Sequence, residues 1–429
     1  MKRKTTMKKH TLMNRNTIMN NTLNSYLPTR TVLTGVSVAL ISALGLASNA
    51  NAENTLYEAL SSGTAFADIN IRYEGVTQDN DLEDANALTV RTRLGYRTDS
   101  FKGFSFTAEL EDTRIALGVS DYTVGPTGFN PGEFSVIADP EFTELDQGFL
   151  QYKNDSFTAK VGRQVITLDG HRFVGHVGWR QDRQTFDAAT AIYAPNKDLR
   201  VQYSYIDQRN RIFGEVADVN AKDHIINGSY QTGAGKLVAY AYLIEADTGV
   251  ENGLDTYGFS FNGAQSLDST KISYHLEYAT QTSDTSATSF EADYLHLNLG
   301  VTVAGVTAKV AYEALGSDDG AFGFSTPLAT LHKFNGWSDQ FLATPSVGLV
   351  DTNFTLSGTL AGGKWLVRYH DFQADVASET VDELGTEINF HYSRKVAKNY
   401  TLAMTYASYA ADDFKVDTDK LWVWLNTKF

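Results

Sequence analysis

The chain has 429 residues, no cysteine and a formal net charge of −15 at pH 7. Without cysteine, neither disulfide bonds nor thiolate metal sites are open to it. An acidic surface repels phosphate, so the charge argues against nucleic acid as a partner. No motif in the sequence indicates a cofactor, and none is expected.

Residues 1–52 predict a secretory signal peptide. They carry seven Lys or Arg and no acid, followed by an apolar run from Val32 to Ala47 and by the small residues of positions 50–52. This order of charge, apolar core and small residues predicts cleavage after Ala52. Removing the seven positive charges from −15 leaves −22 on the remaining 377 residues. We expect residues 53–429 to form a single folded domain.

The exported part alternates polar and apolar residues in runs of about 10, which is the period and length of a membrane β-strand. In residues 65–74, Ile69 and Ile71 lie on one face, and Asp68, Arg72 and Glu74 lie on the other. Residues 88–97 repeat the pattern. A sandwich core would bury such polar side chains at a high cost in free energy. The alternation instead favours a wall between lipid and water.

Short and long connections alternate between these runs. Short turns with Gly, Asn, Asp or Pro occur at 99–103, 154–156, 195–198 and 361–363, whereas residues 118–143, 169–183 and 316–346 form long loops. Short turns are typical of the periplasmic rim and long loops of the extracellular rim. The sequence therefore predicts an all-β fold: a transmembrane, up-and-down antiparallel β-barrel, with 18 strands as the first reading and 16 as the alternative.

The last segment, residues 421–429, reads as the closing strand and ends on Phe429. We expect the barrel to lie in the outer membrane of a Gram-negative cell, with outer-membrane lipid around it. We also expect Phe429 to engage the barrel-assembly machinery.

Basic residues predict the character of the lumen. Twelve of the 14 arginines after the signal peptide lie between Arg72 and Arg211. Alternation places Arg72, Arg91, Arg93 and Arg97 on inward positions, and an inward position for the next four depends on strand register: Arg114, Lys160, Arg163 and Arg200. The expected lumen acids are Asp68, Glu74, Glu109, Glu111 and Asp187. Two readings stay open and are compatible: a ladder of salt bridges across the lumen, and a path for anions.

Residues 160–183 contain a glycine-rich stretch that can fold back into the mouth of the barrel. Arg172, Arg180 and Arg183 in this stretch carry planar guanidinium groups, which bind carboxylates through two parallel hydrogen bonds. A constriction lined by arginine selects anions. His171 and His176 lack an evident third ligand, so no metal site is predicted there.

Several motifs together resemble the alginate-export family of outer-membrane porins. They are residues 55–60 (TLYEAL), 68–74 (DINIRYE), 86–96 (NALTVRTRLGY), 139–147 (DPEFTELDQ), 161–164 (VGRQ), 178–181 (GWRQ), 184–188 (QTFDA) and 210–214 (NRIFG). The resemblance implies an 18-stranded barrel with an arginine-rich pore, which in the best-known relatives passes an anionic uronate polymer outward. That role is carried over here to Arg72, Arg91, Arg93, Arg163, Arg172 and Arg180.

We expect a channel for passive diffusion of small anionic solutes, such as uronate oligomers or organic acids, and no enzyme activity. Export of an anionic polysaccharide such as alginate is the alternative. A hydrolase is a second class, with His275 and His296 as candidate bases, although no spacing marks a triad. An adhesive barrel is a third class, because the apolar loop 316–346 is large enough to bind a surface partner or to plug the mouth.

Overall fold

The computed structural model describes residues 55–429, so the predicted signal peptide lies outside the described residues. One short helix precedes the sheet, α1 (Leu56–Ser61). Thr55 caps its first turn, accepting a hydrogen bond from the amide of Glu58, whose carboxylate accepts one from the amide of Thr55. Tyr96 donates a hydrogen bond to the carbonyl of Leu60 at 2.6 Å, which anchors the helix to the barrel wall.

Twenty strands follow the helix. They are β1 (Thr64–Gln78), β2 (Ala85–Arg97), β3 (Phe104–Asp121), β4 (Phe142–Lys153), β5 (Phe157–Gln164), β6 (Thr185–Tyr193), β7 (Leu199–Asn210), β8 (Val219–Gln231), β9 (Lys236–Ile244), β10 (Asn252–Leu267), β11 (Thr270–Thr285), β12 (Ser289–Val303), β13 (Val306–Leu315), β14 (Ser317–Asp318), β15 (Phe322–Gly323), β16 (Leu349–Leu360), β17 (Gly363–Gln373), β18 (Glu383–Ala397), β19 (Tyr400–Ala410) and β20 (Thr418–Lys428). Single 3₁₀ turns lie in the loops at Gly125–Thr127, Asp169–His171, Glu215–Ala217 and Leu331–Lys333.

Eighteen of these strands form one closed antiparallel sheet. Each strand pairs with its neighbours in the chain, β13 pairs with β16, and β1 pairs with both β2 and β20. The closure satisfies the backbone groups that an open edge would leave unpaired in lipid. The structure thus confirms the predicted up-and-down barrel and its 18 strands, against the alternative of 16. β14 and β15 form a separate small hairpin.

The two faces of the wall differ as alternation predicts. Large apolar side chains are exposed on the outer face, including Leu94, Leu110, Val161, Leu299, Val310 and Ile388. Their inward neighbours are mostly polar or charged. None of the helices in residues 55–429 is both long and apolar enough to span a membrane.

Short and long connections lie on opposite rims, as predicted. Two-residue turns join β10 to β11, β12 to β13 and β16 to β17, and the last of them uses Ala361 and Gly362, both with positive φ. The longest connections of the other rim are residues 122–141, 165–184 and 316–348. By the usual asymmetry of such barrels, the short turns mark the periplasmic rim.

Two aromatic residues of β9 face the lumen instead of the membrane. Tyr240 and Tyr242 point into the lumen, are buried, and stack with ring centroids 4.7 Å apart. Alternation along β9 places both residues on the inward face, where most other side chains are polar. They are aromatic because Phe173 of the loop that folds into the barrel packs against them.

Candidate functional site: the barrel lumen

The cross-strand register defines one inward face around the whole ring. Successive inward pairs include Asp68 with Arg93, Lys160 with Thr190, Gly300 with Lys309 and Lys428 with Asp68. Among the residues predicted for the lumen, this face contains Asp68, Arg72, Glu74, Arg91, Arg93, Arg97, Glu109, Glu111, Lys160 and Arg200.

Arg114 does not lie in the lumen, so its prediction was wrong. Alternation along β3 places Glu109, Glu111 and Thr113 inward, where they are buried, and Arg114 falls on the opposite face. Its guanidinium group is half exposed and bonds Asp112 on the same outer face at 2.6 Å. The face of the wall on which Arg114 lies depends on the register between β2 and β3, which the sequence alone does not reveal.

Arg163 and Asp187 form an ion pair at 2.9 Å, but at an irregular point of the wall. Gly162 has a φ of 121°, and the register between β6 and β7 shifts directly after Asp187. Simple alternation therefore does not assign either residue to the lumen. The carboxylate of Asp187 also accepts a hydrogen bond from Asn210 at 3.2 Å.

Residues 165–184, the first inward loop, fold into the barrel as predicted. Phe173 packs its ring 5.2 Å from that of Tyr240 and 5.3 Å from that of Tyr294. Leu168 and Val174 are buried in the same apolar cluster. Burial of these side chains against wall aromatics pulls the loop away from the extracellular surface.

The three arginines of this loop bind wall or loop carboxylates. Arg180 donates to both carboxylate oxygens of Glu74, at 2.7 and 3.0 Å, and to Asp339 at 3.1 Å. Arg183 donates to Glu109 at 2.8 Å and also pairs with Asp146.

Arg172 is the most enclosed of the three. It donates to Glu313 on β13 at 2.6 Å, to Thr326 at 3.2 Å and to Asn335 at 3.3 Å. Its guanidinium group also lies 4.7 Å from the ring centroid of Phe334. These groups compensate a charge that is 4% exposed.

The wall arginines of β1 and β2 are also neutralised. Arg72 pairs with Asp139 and donates to the carbonyl of Trp179. Arg93 pairs with Glu111 and donates to the carbonyl of Gln181 at 3.2 Å. Arg91 pairs with Asp68 at 2.5 Å. Most arginines predicted for the solute path thus hold the loops and strands of the lumen together, as the salt-bridge reading expected.

Residues 316–348, the second inward loop, also lie within the barrel. Ser338 donates its amide to Glu387 on β18 at 3.0 Å, and Phe341 packs 4.6 Å from the ring of Phe372. The two inward loops bond to each other: the amide of Gly175 donates to the carbonyl of Leu328 at 2.8 Å. The loop that could have been a plug or an adhesive surface is therefore an internal part of the barrel.

The carboxylate of Asp339, in the second inward loop, contacts three nitrogen-bearing side chains. Lys420 and Arg180 bond it at 3.0 and 3.1 Å, and His332 lies 2.7 Å away. Burial alone would raise the pKa of Asp339, but Lys420, His332 and Arg180 together hold it well below its usual value. Burial lowers the pKa of His332 despite the pull of Asp339, which favours a neutral imidazole stacked on Trp179, with ring centroids 4.2 Å apart.

A second set of inward basic residues lies near the short-turn rim and carries no ion pair within residues 55–429. It contains Arg97, Lys153, Lys160, Arg200, Lys271, Lys309, Lys364 and Lys395, and we name it the basic ring. Lys236 and Lys428 extend it, each paired with one aspartate, Asp169 and Asp68. With these two lysines the ring surrounds the lumen, although twelve of the 14 arginines after the signal peptide lie between Arg72 and Arg211.

Apart from Lys160, sequence reasoning missed the lysines of this ring because it counted arginines. The signal that identifies them is positional: Lys236, Lys271, Lys309 and Lys364 each follow a short turn within a few residues and share the inward parity of their strands.

His275 and His296, the candidate bases of the hydrolase alternative, also face the lumen. Their rings lie 4.8 Å apart, and His275 approaches Glu277 at 3.3 Å. The partner of this pair is thus a carboxylate, not the serine that a triad requires.

Comparison with known proteins agrees with this architecture. The family model described as alginate export matches residues 61–315. A search of the curated proteins found no match. Similar solved structures include OccAB4 of Acinetobacter baumannii, which is 13% identical with a TM-score of 0.67 and aligns over 86% of this chain and 98% of that one.

Two structures from Pseudomonas aeruginosa are comparably similar. OccK9 (OpdG) is 12% identical with a TM-score of 0.68, over 86% of this chain and 100% of that one. OpdK, solved with vanillate, is 12% identical with a TM-score of 0.67, over 86% and 99%. At such identities the likeness concerns the fold. Since the family model spans more than half of the chain, this protein belongs to the alginate export family and is a porin-like β-barrel of the outer membrane.

Proposed function

We propose that the protein is a passive diffusion channel for small anionic solutes, such as organic acids or uronate oligomers, and that it performs no chemical step on them. The observation that carries the proposal is the basic ring. It presents unpaired ammonium and guanidinium groups from β2, β4, β5, β7, β11, β13, β17 and β18 near the short-turn rim of the lumen.

The physical basis is a fixed charge in a narrow aqueous space. Rings of Lys and Arg favour anions in a pore, because the low-dielectric wall concentrates the field and raises the local concentration of counter-ions. The Debye length is about 8 Å at physiological ionic strength, so charges spread around the wall act over much of the lumen. The buried arginines contribute less, because each already has a carboxylate partner.

The inward loops favour small solutes over a polymer. Both loops cross the extracellular half and are joined to the wall by ion pairs such as Arg172 with Glu313 and Arg180 with Glu74. Passage of a polysaccharide chain would require these contacts to separate, and we therefore infer that the solutes are small acids.

The test is ion selectivity in planar bilayers. We expect the reversal potential in a KCl gradient to show anion preference, and the combined substitutions Lys160→Gln, Lys271→Gln, Lys309→Gln and Lys364→Gln to shift it toward cations. Arg394→Gln is the matched control, since Arg394 neighbours Lys395 on β18 but pairs with Leu402 on the outer face. Cation preference of the native channel, or a shift of equal size in the control, would refute the proposal.

A further inference from the structure

Three side chains able to bind a metal converge on the lumen wall at His275, Glu277 and His296. One ligand atom from each lies within 4.8 Å of the other two. The ring of His275 approaches the carboxylate of Glu277 at 3.3 Å. Glu277 and His296 are direct cross-strand partners of β11 and β12, so the rigid sheet holds them side by side. The sequence pointed to no metal here, because the alignment of these strands was unknown.

The carboxylate of Glu277 is the second observation. Its side chain is 5% exposed, yet no Lys or Arg of residues 55–429 lies within ion-pair distance of it. Its neighbour Glu313, by contrast, is neutralised by Arg172 at 2.6 Å. A buried carboxylate without a cationic partner is costly in free energy. A bound divalent cation would compensate this charge.

The surrounding groups suit a metal ligand. Tyr240 donates a hydrogen bond to the second oxygen of Glu277 at 3.0 Å and so orients the carboxylate. At metal sites, hydrogen bonds of this kind orient the side chains that coordinate the ion. His275 is 26% exposed, which leaves the site open to water in the lumen.

The ligand set selects the class of metal. Two imidazoles with one carboxylate match Zn²⁺ sites that keep a position for water or solute, whereas Mg²⁺ and Ca²⁺ prefer oxygen ligands. Ligands of tetrahedral Zn²⁺ at about 2.0 Å lie roughly 3.3 Å from one another. His275 and Glu277 already have this separation, and the ligand atom of His296 lies within 4.8 Å of both.

We propose that His275, Glu277 and His296 form a binding site for Zn²⁺ or a similar divalent transition metal on the wall of the channel. The bound ion has an open coordination position facing the solute path. A carboxylate solute can occupy that position, so the metal retains anions at the site and lowers the conductance. This second step depends on the proposed anion channel, whereas metal binding does not.

Binding is tested on the purified full barrel in detergent, without an affinity tag. We expect isothermal titration with ZnCl₂ to show one site, and CoCl₂ to give the visible absorption bands of a low-symmetry Co²⁺ complex that EDTA removes. His296→Gln and Glu277→Gln should each weaken Zn²⁺ binding by about tenfold or more, in line with the loss of a ligand. His391→Gln is the matched control, being another lumen histidine, bonded to Thr405 on β19.

The outcomes separate the two claims. No Zn²⁺ uptake by the native barrel at millimolar concentration overturns the site, as does equal binding by the native protein and both ligand variants. Heat-modifiable migration on gels shows that each variant is folded. If Zn²⁺ binds as described but leaves organic-anion conductance unchanged, the site stands and its role in the solute path is refuted.

Discussion

Individual arginines in this barrel serve structure and electrostatics at different positions. Arg172 illustrates the structural role, since it connects the first inward loop with β13 and with two residues of the second inward loop. The partners lie 141 to 163 residues away in the chain. Its loss would leave Glu313 buried without a counter-charge.

We therefore expect Arg172→Met to lower the free energy of unfolding by about 3–5 kcal/mol, the usual cost of removing one partner from a buried ion pair. Urea unfolding of the barrel in detergent micelles measures this. Arg114→Gln is the control, because its pair with Asp112 is exposed and should contribute about 0–1 kcal/mol. Equal stability of the two variants would contradict the role given to Arg172.

Asp182 of the first inward loop predicts a pH dependence. Both of its carboxylate oxygens are buried and have no hydrogen-bond partner within residues 55–429. Burial raises its pKa well above the usual value, and the charges of Glu111, Glu144 and Asp146 raise it further. The folded protein therefore keeps this carboxyl protonated where the unfolded chain ionises it.

The free energy of unfolding is highest when Asp182 is protonated in both states, at a pH below the pKa that it has in the unfolded chain. This stability is lost as the pH rises through the higher pKa that Asp182 has in the folded protein. Asp182→Asn keeps the neutral form at every pH. We expect it to increase the free energy of unfolding at pH 8 by on the order of 1–3 kcal/mol, with little change at acidic pH. Thermal unfolding at both pH values checks this, and an equal effect at the two would refute it.

At the scale of elements, the second inward loop controls how much of the lumen is filled. Its stem is closed, because Thr344 donates a hydrogen bond to the carbonyl of Phe324 at 2.7 Å. A short Gly-Ser linker can therefore replace residues 325–343 without straining β13 or β16.

We expect this deletion to raise single-channel conductance several-fold, because it removes side chains that occupy the extracellular half of the lumen. Shortening the exposed loop 247–251 is the control, since it lies outside the lumen and should leave conductance unchanged. If the deleted barrel folds and conducts as the native one does, the loop does not narrow the solute path.

The inward or outward direction of a side chain could be predicted from the sequence wherever the strand alternates without a bulge. In β1 and β2 the alternation runs without interruption, so Arg72 and Arg93 were placed correctly. At Gly162 a positive φ interrupts the alternation of β5. Alternation in the sequence therefore cannot predict whether Arg163 faces the lumen or the membrane. The internal loop contacts, such as Arg180 with Asp339, join residues far apart in the chain, and no local pattern encodes them.

At the scale of the whole molecule, charge is distributed unevenly between the two rims. The basic ring lies near the short turns, whereas exposed acids occupy the long loops, including Asp79, Asp81, Glu83, Asp375, Glu379, Asp412, Asp413 and Asp417. A pore with opposite fixed charges at its two ends conducts unequally in the two directions of voltage.

We expect current rectification from barrels inserted in one orientation at about 0.1 M salt, where the Debye length is about 10 Å, and nearly symmetric current at about 1 M, where it is about 3 Å. The current–voltage curve at both concentrations measures this. The variant with four substituted lysines should rectify less. Rectification that persists at high salt would point to loop movement under voltage instead of fixed charge.

The bond between the two inward loops also sets an order of assembly. Val174 and Leu328 form a bridge, although the strands that flank them are made far apart in time. The first loop therefore cannot reach its final packing until the hairpin after β13 has been delivered to the membrane. A nascent barrel that still lacks the second inward loop therefore has an incompletely packed interior.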